Sequence, residues 1–381
     1  MALRGIKVVE MMGLAPGPFC GAILADFGAR VTVIQRVDAP SLDVMSNGKR
    51  VISVNLKSEN GVEIVKKLCN ESDVLIDVFR PGVMEKLGLG PKTLLQSNSR
   101  LIYARLTGYG QNGYYKNKAG HDINYVAMCG LLHMLRKNNE IPTPINFSAD
   151  FAGGSVICAM GILLALYERT HSGLGQVIDT SMTEGSAYVA SWFFRSMNRT
   201  LGISLWDNEP GKNMLDGGAP FYGAYRTKDD KFMAVGAIEP QFYSRFLEGL
   251  QLSEEDYPQD INIESTRKKF TEVFLTKTQE EWSKIFDGLD ACVTPVLDFQ
   301  SMNKHECNVS RKSFYVTEDD LLVPKPAPRL SRTPGTTSAV HPLPQAGQHT
   351  IQVLKELGYS KAEINEFIHS GTVYANLQSN L

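Results

Sequence analysis

The chain lacks any long basic run and carries almost no net charge. Its 39 lysines and arginines nearly balance 41 aspartates and glutamates, for a formal charge of -2. Nucleic-acid binding needs clustered cations, so no nucleic-acid partner is expected. There is no Cys-x-x-Cys pair. The six cysteines, Cys20, Cys69, Cys129, Cys158, Cys292 and Cys307, are scattered. That spacing speaks against a zinc ribbon or a disulfide framework, and favours small core residues in a reducing compartment. Met1 to Glu10 has no signal-peptide pattern, because it runs directly into strand-like residues. The one apolar stretch to consider as a membrane span, Phe151 to Tyr167, is short of the roughly 20 residues a span needs and is interrupted by Gly153-Gly154-Ser155. A helix buried in a core is expected there, with no membrane span. The chain also has no internal repeat, and the loop after its first strand is not Gly-x-Gly-x-x-Gly.

The 381 residues, 43% of them hydrophobic, suffice for two domains and a substantial core. Ile6 to Val9, Val31 to Ile34, Val51 to Val54, Val74 to Val78 and Leu101 to Leu106 read as short strands. Helical stretches such as Gly61 to Asn70 lie between them. This alternation predicts an α/β fold with a mainly parallel, Rossmann-like sheet covered on both faces. The first loop, Gly13-Leu14-Ala15-Pro16-Gly17-Pro18, departs from the dinucleotide fingerprint. Arg36 ends the second strand where a nicotinamide enzyme places an acid for the ribose. A nicotinamide cofactor is therefore disfavoured, and a cation at that position suits a phosphate.

A helix is expected from Asp150 to about Arg169, a strand within Gly173 to Ser181, and a mixed aromatic linking segment over Ser186 to Asn213. From Pro220 the pattern turns antiparallel. Phe221 to Arg226 and Phe232 to Ala237 flank Lys228-Asp229-Asp230 as a hairpin. Amphipathic helices follow over Pro240 to Leu250 and Arg267 to Asp287, then a strand-like Ala291 to Leu297. Val323 to Pro344 holds six prolines and reads as an extended connector rather than a sheet strand. Gln348 to Leu357 reads as a closing helix, with Gly358 behind it as a C-cap.

The chemistry-bearing residues each have a plain alternative. His121 follows a polar, glycine-rich loop after the fifth strand. Alone it is a loop histidine, but ligands gather beyond the carboxyl ends of parallel strands, and histidine can act as base and acid near neutral pH. Asp150 precedes a long apolar stretch, and spacing alone favours an N-cap. A capping carboxylate is stabilised as the anion, whereas a proton donor must have its pKa raised by burial. Glu239 reads as a helix-start residue before Pro240, or as a carboxylate orienting an imidazole. The Asp122 side chain reads as a turn cap, and its backbone N–H as a donor to a developing oxyanion. Arg36, Lys57 and Arg80 stand at three successive strand ends and form a strip suited to an anionic nucleotide.

Asp26-Phe27-Gly28-Ala29-Arg30-Val31, Phe79-Arg80-Pro81-Gly82-Val83-Met84-Glu85, Leu101 to Gln111 and Gly173 to Asp179 together resemble the family III CoA-transferase superfamily. Within it, Gly120 to Tyr125, Asn213 to Pro220 and Val235 to Pro240 resemble the α-methylacyl-CoA racemase branch. The resemblance runs from Gly5 to about Leu357. It implies an interlocked homodimer whose chains each have a Rossmann-like large domain built from both chain ends. The implied boundaries are 1–185 for the first part of the CoA-binding domain, 186–219 for a linker and 220–300 for a small α+β domain. A return linker over 301–330 and the completing segment 331–381 follow. Carried over residue by residue, CoA contacts fall on Arg36, on Val54, Asn55, Leu56 and Lys57, on Phe79 and Arg80, and on Gly120, Asp122, Ile123, Asn124 and Tyr125. His121 and Asp150 become the acid/base pair, with Glu239 supporting the histidine. Asn55 stands where relatives often have aspartate. Lys86 stands where some have arginine, which keeps the charge and loses a bidentate donor.

The implied activity is interconversion of (R)- and (S)-2-methylacyl-CoA thioesters in branched-chain fatty acid and bile-acid metabolism. It calls for no metal and no separate cofactor, CoA being part of the substrate. The rival within the superfamily is CoA transfer with Asp150 as nucleophile, for which the transferases lack a histidine at position 121. A non-catalytic CoA-ester-binding protein is a further alternative. The family occurs in peroxisomes and mitochondria, and Ser379-Asn380-Leu381 resembles a peroxisomal Ser-Lys-Leu address with its basic residue replaced.

Overall fold

The structure is a computed structural model describing residues 1–37, 43–137, 139–197 and 205–376. The terminal Ser379-Asn380-Leu381 lies outside the described residues. The chain forms two compact units. The first comprises Met1–Cys129, Pro144–Ala190 and Lys312–Leu381, and the second Gly130–Thr143 and Ser191–Arg311.

The first unit begins with β1 (Lys7–Met11), α1 (Pro16–Asp26), β2 (Arg30–Gln35), β3 (Arg50–Val54) and α2 (Glu59–Asn70). It continues through β4 (Val74–Asp77), α3 (Val83–Lys86), α4 (Pro91–Ser97), β5 (Ile102–Thr107) and α5 (Asp122–Met128). After α6 (Leu131–Met134), in the second unit, a π-helix (Ser148–Val156) runs directly into α7 (Ile157–Ser172), followed by β6 (Val177–Ser181) and α8 (Met182–Val189). The second unit then holds α9 (Ser191–Met197), β7 (Tyr222–Arg226), β8 (Phe232–Gly236), α10 (Pro240–Leu250), α11 (Ile263–Phe274), α12 (Gln279–Phe286), β9 (Val293–Pro295) and α13 (Glu306–Arg311). The chain returns to the first unit with β10 (Phe314–Val316), β11 (Leu322–Pro324), α14 (Thr350–Glu356), α15 (Lys361–His369) and β12 (Val373–Tyr374).

Seven strands form the main sheet in the order β12-β3-β2-β1-β4-β5-β6. All pairs are parallel except β12 on β3, where Val373 faces Val54. The sheet is parallel-dominated and Rossmann-like, as its β-branched runs predict. Helices cover both faces, so β4 and β5 are buried along their whole length. The core joins Val9, Ile52, Leu75 and Tyr103 to Ile64 and Val65 of α2 and to Val353 and Leu354 of α14. The 348–357 helix is therefore not the last element, because α15 and β12 follow it and finish the sheet. Val323 and Pro324 pair with Tyr315 and Phe314 in a short hairpin, so the proline-rich segment starts as a strand before it becomes a connector.

In the second unit, β7, β8 and β9 form an antiparallel sheet, with Tyr222 opposite Gly236 and Val235 opposite Val293. Its core is aromatic. Tyr225 stacks on Phe274 with ring centroids 5.0 Å apart, and the Trp282 indole N–H donates to the Phe274 carbonyl at 2.9 Å. The expected helix over 267–287 is two helices. Thr278 breaks it, with its backbone N–H donating to Glu281 Oε2 at 2.8 Å and its hydroxyl accepting the Glu281 N–H at 3.3 Å.

The apolar 151–167 segment is half-buried rather than buried. By length and composition Ser148–Ser172 could cross a membrane, yet one side packs on β5 and β6. Val156, Met160, Leu163, Leu164 and Tyr167 are exposed on the other. Its start is pressed onto α8 through glycines. A methyl group at Gly153 would lie 2.5 Å from the Ser186 nitrogen, and one at Gly185 would lie 1.8 Å from the Gly153 carbonyl oxygen. Gly153→Ala should lower the unfolding free energy by about 1–3 kcal/mol through overpacking. Chemical denaturation checks this, and unchanged stability would show a looser contact.

An ion pair lies under α1. Lys49 Nζ donates to Glu10 Oε2 at 2.9 Å and to the Pro18 carbonyl at 2.8 Å, with both side chains fully buried. Burial pushes the Glu10 carboxyl up to about 7 despite the neighbouring ammonium. The folded state thus holds a proton that the unfolded state releases near 4.5. Glu10 contributes stability below that point and loses it as pH rises to about 7. In Glu10→Gln, the fall in melting temperature across that window should shrink.

Candidate active site

In the sheet, β2 and β3 lie on one side of β1, while β4, β5 and β6 lie on the other. Loops leaving the carboxyl ends of β1 and β4 diverge at this switch point and open a crevice, the preferred ligand site of such sheets. A cavity of about 550 Å³ occupies it. Its walls come from Gly13–Gly17 after β1, Val78–Arg80 after β4, Leu106–Tyr109 after β5, and Lys116, Lys118, His121 and Asp150. A neighbouring cavity of about 240 Å³ shares Gly13, Leu14 and Phe79, and adds Ile34, Arg36, Val54 and Leu56. Together the two follow the ends of five strands, β1 to β5, with Arg36, Arg80, Lys116 and Lys118 among their lining residues.

The Phe79-Arg80 loop is held from beneath. Asp77 Oδ1 accepts the Phe79 N–H at 2.9 Å, while Arg105 Nε lies 3.3 Å from Asp77 Oδ2. The same guanidinium grips both Glu85 oxygens, at 2.8 and 3.3 Å, and so fixes α3. Burial pushes the Asp77 carboxyl up to about 6, and hydrogen bonding to Arg105 holds Glu85 below the usual carboxylate range. Arg80 itself is exposed at the rim.

His121 occupies the N-cap position of α5. Its backbone N–H donates to Asn124 Oδ1 at 3.0 Å, and its carbonyl accepts from the Asn124 N–H at 2.8 Å. The Tyr125 hydroxyl donates to the Gly120 carbonyl, and its ring lies where a side chain on Gly108 would be. These contacts fix the backbone before the imidazole and leave the histidine side chain exposed to the cavity. Burial is the main reason that Tyr125 is pushed up to about 12.

Asp150 corrects its expected role as a helix cap. It is the third residue of the π-helix, not the residue before it. The cap comes from another segment: Asp122 Oδ2 accepts the N–H of Ala149 at 2.7 Å and that of Asp150 at 2.9 Å. Asp122 is buried, so its side chain bridges two elements instead of capping its own turn. The Asp150 carboxyl is left to the cavity, with Asn146 Nδ2 donating to it at 3.3 Å. Its pKa is raised, chiefly by burial and also by the Asp122 charge, against the Asn146 hydrogen bond and His121.

His121, Asp150, Gly120, Tyr125, Phe79 and Arg80 thus meet on the larger cavity, and Arg36, Val54, Leu56 and Phe79 on the smaller. Asn55 and Lys57 line neither. Asn55 Oδ1 accepts the Lys57 N–H at 3.1 Å in the turn after β3. Ile123 and Asn124 are exposed on α5. Glu239 belongs to the second unit, where its carbonyl accepts the N–H groups of Phe242 and Tyr243 at the start of α10. Sequence reasoning missed Lys116, Lys118 and Asn146. The two lysines carried a signal, since they immediately precede Ala119-Gly120-His121, whereas nothing in the sequence marked Asn146.

Residues 3–350 match the model of the CoA-transferase family III. The chain is 50% identical to the α-methylacyl-CoA racemase of Mus musculus over the full length of both, and 49% identical to that of Homo sapiens, covering 99% of this chain and 100% of the human one. A solved CaiB/BaiF family protein from Brucella suis shares the fold, with a TM-score of 0.75 and 22% identity over 93% of this chain and 99% of its own. The chain belongs to the CoA-transferase family III.

Proposed function

We propose that the protein interconverts (R)- and (S)-2-methylacyl-CoA thioesters by 1,1-proton transfer. The observation that carries this reading is the convergence of His121 and Asp150 on one cavity at the sheet's switch point. Arg80, Lys116 and Lys118 line the same cavity and suit the phosphates of a CoA ester. The racemase names of the mouse and human relatives support the same activity.

Neutral His121 removes the α-proton in one direction, and the thioester oxygen takes the charge as an enolate. The acid form of Asp150 returns a proton to the opposite face, and the roles exchange in reverse. Burial favours that acid form by raising the Asp150 pKa. The backbone N–H of Asp122, first in α5, is the proposed enolate donor. General acid–base catalysis supplies about 10²–10⁴-fold, and one oxyanion donor about 2.7–4 kcal/mol. For so weak a carbon acid these are modest, so anchoring the CoA handle contributes through positioning. Each step moves only a proton between side chain and carbon, so the chemistry calls for no metal and no separate cofactor. For Glu239, a supporting role to the imidazole rests on the family pattern Val235-Gly236-Ala237-Ile238-Glu239-Pro240.

An interlocked homodimer belongs to the same proposal, supported by the exposed apolar side of α7. Light scattering should give twice the chain mass. Placement in peroxisomes or mitochondria rests on the family's distribution and the terminal tripeptide.

Incubation with one epimer of a 2-methylacyl-CoA in deuterium oxide should give both epimers carrying α-deuterium. His121→Ala and Asp150→Asn should each lower kcat/KM by about 10²–10⁴-fold. Arg80→Ala should raise KM with kcat little changed. Absence of exchange, with thioester transfer to an added carboxylic acid, would overturn the reading in favour of Asp150 as nucleophile.

A further inference from the structure

We propose that Asp122 is a positioning residue of the proton transfer, its carboxylate tying the His121 segment to the Asp150 segment so that the two bases keep a fixed separation. The proposal rests on the racemase reading above. Its geometry is a single oxygen with two donors. Asp122 Oδ2 sits in the first turn of α5, one residue after His121, and accepts the Ala149 and Asp150 N–H groups at 2.7 and 2.9 Å. Charge-assisted hydrogen bonds of this length are stronger and shorter than neutral ones. Asp122 is only 3% exposed, so solvent screens the link little.

The tie also solves an electrostatic problem. The positive end of a helix stabilises an anion, and an aspartate that caps it resists protonation. Here Asp122 satisfies those N–H groups and takes that stabilisation, which leaves the Asp150 carboxyl without it. The negative charge of Asp122 further favours the acid form of Asp150, and burial acts in the same direction. The other groups facing Asp150 are identifiable. Arg80, Lys116, Lys118, His121, Tyr109 and Tyr125 share its cavity, and Asn146 donates to it. From the packed helices, α1 contributes Pro16 and Gly17 and α8 contributes Met182, all uncharged. Asp122 is thus the carboxylate in this set that opposes loss of the Asp150 proton.

Two substitutions separate positioning from charge. Asp122→Ala removes both hydrogen bonds. Misplacement by about 1 Å can cost 10²-fold, so α-deuterium exchange should lose about that factor in kcat with KM little changed. Asp122→Asn keeps an oxygen acceptor and removes the charge. It should retain more kcat than the alanine variant, and the acid limb of its kcat/KM profile should move to lower pH. That limb belongs to the His121–Asp150 pair as a unit. The substrate-free readout is the carboxyl carbon resonance of Asp150 in ¹³C-aspartate-labelled protein, which should titrate at lower pH in Asp122→Asn than in the parent. An unmoved Asp150 titration in a folded asparagine variant, or an alanine variant with kcat within twofold of the parent, would overturn the proposal. If the parent itself exchanges no α-proton, the racemase reading fails, whereas the titration still reports on the tie.

Discussion

A helix start makes a carboxylate a better anion, and a group that must give up a proton in every turnover cannot be held in that state. In the proposed mechanism, Asp150 and its surroundings are organised around this constraint. As a proposed proton donor, Asp150 needs the rigidity of a helix to stay aimed at the cavity, yet must escape the electrostatics of the helix end. The chain meets both needs by lending the cap from elsewhere. Asp122 takes the exposed N–H groups, and the neighbouring histidine is fixed by the same short helix that carries the borrowed carboxylate. A π-helical opening turn, in which the Ala152 N–H reaches back five residues to the Phe147 carbonyl, displaces the aspartate from the usual capping position.

The rest of the large unit supplies a rigid frame for those few contacts. The sheet puts the lining loops at the carboxyl ends of its parallel strands, and three sets of contacts brace segments around the cavity. Arg105 holds the Phe79-Arg80 loop through Asp77 and Glu85. Tyr125 holds the backbone at Gly120. The Ser155 hydroxyl bonds to the Pro16 carbonyl at 2.8 Å, tying the π-helix to the start of α1. These braces are polar or charged groups.

Much of this was legible in the chain. Parallel strands buried on both faces are continuous β-branched runs, and such runs marked β1 to β5 correctly. The missing fingerprint glycines and Arg36 pointed away from a nicotinamide, and His121 and Asp150 stood out by residue type and position. What stayed hidden depended on partners remote in sequence. Asp150 looked like a cap because nothing local shows that Asp122 takes the N–H groups from 28 residues away. The 267–287 helix looked continuous because amphipathic spacing survives the break at Thr278. The final strand was missed because two residues, Val373 and Tyr374, give no periodicity.

That short strand has a consequence for how the molecule is made. β3 stands next to the sheet's edge, and only β12 covers it. The same core needs Val353, Leu354, Ile364 and Phe367, all from the last part of the chain. The second unit has its own aromatic core, complete by Arg311. During synthesis, therefore, the embedded unit can close while the enclosing one still waits for its final residues. The unit that carries the candidate cavity is begun before the other and completed after it, and until β12 emerges its sheet presents an open β3 edge to every neighbouring chain.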